Sequence, residues 1–62
     1  MIRIYHNDKY AIVADEYHRT YKEVSKKDAI TISKSVKSVI SWYASLENRR
    51  NTLIQSGYTK IA

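Results

Sequence analysis

The chain has no cysteine, no proline and no phenylalanine, and Gly57 is its one glycine in 62 residues. No disulfide can staple the fold and no thiolate can serve as a nucleophile, a composition that fits a reducing compartment. No stretch approaches the roughly 18 consecutive apolar residues that would cross a bilayer. With no apolar signal segment at the start either, the sequence predicts a soluble, cytoplasmic protein without a membrane partner. A chain this short buries only about 60% of the surface its unfolded form exposes, so one domain of marginal stability is expected, spanning residues 1–62.

Catalytic constellations are missing as well. The serines have no histidine and acid in a suggestive arrangement, and no paired carboxylates fall where a cleft would form. His6, Asp8 and His18 would need a further ligand to hold a metal. The expectation is therefore no enzyme, no metal and no cofactor.

Acids are scarce, with six Asp and Glu against eleven Lys and Arg, and the excess is uneven. Through Val24 the bases Arg3, Lys9, Arg19 and Lys22 are matched by Asp8, Asp15, Glu16 and Glu23. From Ser25 to Ser56, Lys26, Lys27, Lys34, Lys37, Arg49 and Arg50 face only Asp28 and Glu47. Positive charge belongs to the second half. Plentiful Ile, Lys, Tyr and Asn, residues of AT-rich codons, suggest a phage or mobile-element composition.

Residues 2–5 (IRIY) and 10–14 (YAIVA) are β-prone runs around Asn7 and Asp8, which suit a tight hairpin turn. A two-residue loop there would set Tyr5 opposite Tyr10 and Ile4 opposite Ala11. Residues 16–24 fit either a helix or a strand; the strand is preferred, with Asp15 and Glu16 as its turn and Ala14 opposite Tyr17. The sheet then has an aliphatic face of Ile2, Ile4, Ala11, Val13, His18, Thr20 and Val24. Its other face carries Tyr5, Tyr10 and Tyr21 in a row, with Ile12 and Tyr17 near and Arg3 and Arg19 at the margin.

From Lys26 to Gln55 the spacing predicts one long amphipathic helix. Ser25 ahead of Asp28 is an N-terminal cap signal, and Ala29, Ile32, Val36, Val39, Tyr43 and Leu46 alternate steps of three and four. Gly57 marks the stop. Ile40 and Ile54 join the same stripe, Arg50 interrupts it, and Trp42 sits at its border as core or partner anchor. At ~1.5 Å per residue this helix would outrun its own sheet, which predicts either a bend near ENRRN or packing on a second copy, and the homodimer is preferred. Residues 58–62 (YTKIA) could add a short edge strand. The fold class expected is α+β: a small antiparallel sheet of a hairpin plus a third strand, packed on one long helix, with a short C-terminal strand.

Two surfaces could carry function. Opposite the apolar stripe, Lys27, Lys34, Lys37 and Ser41 offer ammonium and hydroxyl groups suited to a phosphate backbone, and Arg49 and Arg50 form a separate polar cluster that could clamp a phosphate bidentately. That predicts a small basic regulator engaging nucleic acid or a nucleoprotein complex. The alternative is a stoichiometric inhibitor or adaptor of a host protein, using Arg3, Tyr5, Tyr10, Tyr17, Arg19 and Tyr21 as its hot spot.

Overall fold

The computed structural model describes residues 1–61. Its elements follow as β1 (Ile2–His6), β2 (Tyr10–Asp15), β3 (Thr20–Ser25), α1 (Lys26–Ser35), β4 (Ser38–Trp42), α2 (Leu46–Gln55) and β5 (Thr59–Lys60). The strands form one sheet in the order β4-β1-β2-β3-β5. β1, β2 and β3 are an antiparallel meander, while the edge strands β4 and β5 run parallel to β1 and β3. The class is α+β, but the sheet is mixed rather than small and antiparallel. Two helices of ten residues replace the single long one.

The meander keeps its faces although its registers slide. Ile4 pairs with Val13 and Tyr5 with Ile12, two places from the expected pairing, and Ala14 pairs with Tyr21, four places from it. The cause lies in the turns, which are longer than two residues. Asn7 Oδ1 accepts from the N–H groups of Lys9 (2.7 Å) and Tyr10 (3.0 Å), and Asp15 Oδ1 accepts from those of Tyr17 (2.9 Å) and His18 (3.1 Å). Each short polar side chain thereby holds a wider turn open. Because side chains alternate with period two, an even slide leaves every strand residue on its face. His18 is the exception, since it lies exposed in the second turn and not on the aliphatic face.

Both faces are covered. Ile4, Ala11 and Val13 pack with Ala29 of α1, and Tyr5, Ile12, Ala14 and Tyr21 pack with Leu46 and Leu53 of α2. Ile4, Ile12 and Leu46 are the largest fully buried side chains, each worth ~1.5–3 kcal/mol of transfer free energy. The aliphatic face lies under a helix, as the pattern implied; the tyrosine face lies under the helix that was not anticipated.

The long helix breaks at Val36, whose backbone is extended (φ −133°, ψ 154°) while its N–H still bonds Ile32 O at 3.1 Å. The residues beyond it favour a strand, since Val39, Ile40 and Trp42 are β-branched or aromatic. Ser45 then restarts a helix, its Oγ accepting from Asn48 N at 3.3 Å. Arg50, which interrupted the stripe, reaches back to Glu23 on β3 at 2.9 Å. Trp42 is 56% exposed and belongs to no core.

Topology accounts for one helix per face. The β3-α1-β4 connection crosses the sheet from β3 to the edge beside β1, and β4-α2-β5 returns across it to the opposite edge. Parallel crossovers share one hand, and two of the same hand running in opposite directions must lie on opposite faces.

Candidate nucleic-acid interface

α1 begins where Ser25 Oγ accepts from Asp28 N at 3.1 Å, which satisfies one of the free N–H groups of the first turn. Asp28 lies in that turn and Lys34 in the last, each complementing the helix dipole. Ala29 and half-buried Ile32 turn toward the sheet. Lys27, Thr31 and Lys34, spaced by four and three, share the outward ridge. Lys26 and Ile30 lie on the flank nearer β4, where they line a shallow apolar groove with Ile4, Ala29 and Ile40. Lys37 follows in the link to β4.

Lys26, Lys27, Lys34 and Lys37 are all exposed, and the ion pairs found among the described residues involve none of them. Asp28 is the one carboxylate on α1, and it forms no ion pair with them among the described residues. Glu16 pairs with Arg3 at 3.0 Å, and Glu23 binds both Arg50 (2.9 Å) and Lys60 (3.3 Å). The hydroxyls are less available than the sequence implied. Thr31 Oγ1 donates to Lys27 O, Ser33 Oγ to Ile30 O and Ser35 Oγ to Thr31 O, so their protons are turned onto the helix itself.

The sheet divides the six residues assigned to nucleic acid. Lys27, Lys34 and Lys37 stay with α1, whereas Ser41, Arg49 and Arg50 lie on the side of α2. Arg49 stacks its guanidinium 4.3 Å from the ring centre of Tyr43 and 5.0 Å from that of Tyr5, with Nε buried and unbonded among the described residues. That geometry is a cation–π contact within the core wall. Arg50 is held by Glu23, whose carboxylate raises the guanidinium pKa chiefly through their hydrogen bond. The nucleic-acid set expected along one long helix, Lys27, Lys34, Lys37, Ser41, Arg49 and Arg50, is therefore corrected to a shorter cationic surface confined to α1 and its link.

The tyrosine row is not a surface. Tyr5 and Tyr21 are 8% and 3% exposed beneath α2, and Tyr10 is half-buried against the same cluster. Burial pushes the Tyr5 hydroxyl pKa up, against the pull of Arg49 and Arg3. Tyr17 is fully outside, 84% exposed, with its ring edge-on to His18 at 4.9 Å. Arg3 is tied to Glu16, and Arg19 donates from Nη1 to Ser56 O at 3.0 Å. The six residues of this set do not meet on one patch.

No family model matches the chain, and no curated protein or solved structure does so either. Its function has to be argued from its own side chains. Two features escaped the reading of the sequence. Lys26, adjacent to Lys27, joins the unpaired cations, and its place between the cap and the first turn was the available signal. Ile40 and Trp42 stand exposed on β4; the alternation in SVISW that signals this strand is absorbed by the helical stripe read from the sequence, with Trp42 at its border as core or partner anchor. No helix among the described residues is long and apolar enough to cross a membrane, and no three His, Asp or Glu residues among them gather into a metal-binding group.

Proposed function

We propose that this protein is a small non-enzymatic regulator that binds nucleic acid, alone or within a nucleoprotein complex, through the cationic side of α1. The observation that carries the reading is the cluster on α1 and its link of four exposed lysines, Lys26, Lys27, Lys34 and Lys37, which form no ion pair among the described residues. Between residues 26 and 37 the formal charge is +3, four lysines against Asp28. Lys27 and Lys34 are separated by about 10 Å along the axis, which lets each meet a different phosphate. Ammonium groups without protein partners release counterions on binding, so sequence-independent affinity is the expected mode.

A labelled oligonucleotide tests this by mobility shift. With about three phosphates neutralised on duplex DNA, binding falls roughly 40-fold between about 50 and about 200 mM salt. Replacing Lys27, Lys34 and Lys37 together by Ala weakens binding and flattens the slope of log affinity against log salt by about 2 to 3. Arg50→Ala, on the other face and paired with Glu23, leaves that slope unchanged. Absence of any shift at the low salt rejects the reading. Burial of Tyr5 and Tyr21 weighs against the alternative, an inhibitor with a tyrosine and arginine hot spot.

A further inference from the structure

The two edges of the sheet are unlike. β5 has two residues, and its Lys60 is tied to Glu23. β4 has five, Ser38-Val39-Ile40-Ser41-Trp42, with no charge, no proline and no glycine. Natural sheets protect their edges with lysine, proline, bulges or brevity, and β4 uses none of these. Its large side chains are also uncovered: Ile40 is 54% and Trp42 56% exposed, because α1 packs over β1, β2 and β3.

The phase of the backbone is fixed by Tyr43 N, which donates to His6 O at 2.8 Å. Polar groups alternate along a strand, so Val39, Ser41 and Tyr43 bond toward β1. Ser38, Ile40 and Trp42 therefore turn their N–H and C=O groups to the open side.

We propose that β4 is the interface for a second copy of this chain, pairing antiparallel with its own equivalent about a two-fold axis at Ser41. In that register Ile40 lies opposite the partner's Trp42, and Trp42 opposite the partner's Ile40. Both pairs consist of residues whose backbone groups point outward, so each exchanges hydrogen bonds in both directions. Aromatic and β-branched side chains meet directly on one face, and Val39 meets the partner's Tyr43 on the other. Lys37 falls opposite the partner's Ser45, so no like charges are opposed despite a net charge of +5 per copy. Centring the axis on Ile40 instead would set Trp42 against serine, and a slide of one place would mismatch the faces. The pairing is closed and self-complementary, as a two-fold interface requires. The surplus of helix that suggested a dimer from sequence no longer exists; this edge is a separate reason for one.

A single five-residue pairing is a small interface, so association belongs to the weak class. Sedimentation equilibrium of the intact chain should show the mass rising with concentration from 7.3 kDa toward twice that value. Screening of the mutual repulsion strengthens the dimer as salt rises from about 50 to about 300 mM, the reverse of the nucleic-acid prediction. The two readings therefore fail independently. Ile40→Lys, at an exposed position, keeps the parent circular dichroism and stays monomeric. The chain has no native cysteine, so Ser41→Cys reports the register directly. Non-hydrogen-bonded pairs bring Cα atoms to about 4.5 Å, within disulfide range. Ser41→Cys should oxidise to a covalent dimer at least about tenfold faster than Ser56→Cys, a control at the far end of α2. A mass of 7.3 kDa at every concentration overturns the proposal, and so does equal cross-linking at the two positions.

Discussion

Asp15 carries more of the fold than its size suggests. Its Oδ1 accepts from two backbone N–H groups of the β2–β3 turn, and its Oδ2 lies 2.8 Å from His18 Nδ1. The hydrogen bond from His18, followed by the backbone N–H of the same residue, holds the Asp15 carboxyl below its ordinary value of 3.8. A carboxyl depressed in the folded state contributes stability that is complete above the unfolded value and is lost as pH falls through the folded one. Thermal unfolding should therefore show a parent melting temperature that falls more steeply below about pH 4 than that of Asp15→Asn, whose amide oxygen still accepts but does not titrate. The sequence announced Asp15 as a turn residue. It did not announce His18 as its partner, because a four-residue turn is needed to bring the two together. Arg49 teaches the same lesson: its charge was legible, but the rings that hold it, Tyr5 on β1 and Tyr43 just past β4, become neighbours only in the tertiary fold.

Among the elements, the stretch from Val36 to Ser45 shows where pattern and propensity part. Residues four apart lie on one face in a helix and also in a strand, so Val36 with Ile40 and Val39 with Tyr43 satisfy both periods. Spacing alone could not separate the two, and the β-branched and aromatic content of VKSVISW decided it. The cap at Ser25 was legible because Asp28 completes a recognisable signal. Ser45 is an equally good cap residue with Glu47 in the first turn, but Asn48 does not complete the pattern and an unbroken helix had been drawn through it. Ser45→Ala removes the acceptor of Asn48 N and should cost about 1 kcal/mol. For a domain of this size that lowers the melting temperature by roughly 4–8 °C, measurable by circular dichroism. Binding of an oligonucleotide by α1 should be unaffected at temperatures where the variant is folded.

For the molecule as a whole, the division of the sheet into an aliphatic and a tyrosine face was legible because both register slides were even. Which helix lies on each face was not, since that follows from pairings such as Ile2 with Ser38 and Thr20 with Thr59, far apart along the chain. Such contacts leave no local trace in composition. They also set an order of protection: β2 has a neighbour on each side and a helix over each face, whereas β5 is a two-residue rim. Amide exchange should be slowest at Ala11, Ile12 and Val13 and fastest, among the strands, at Lys60. The segments that close the edges reach back about three dozen residues, so the loop-closure cost of β4 and β5 exceeds that of the meander.

The paired crossovers bring one more result. A platform roofed above by α1 and floored below by α2 has turned its broad surfaces inward. It communicates with its surroundings through the backs of those two rods and along its bare margin. If the proposed function holds, recognition is a matter of outline and charge on a convex body.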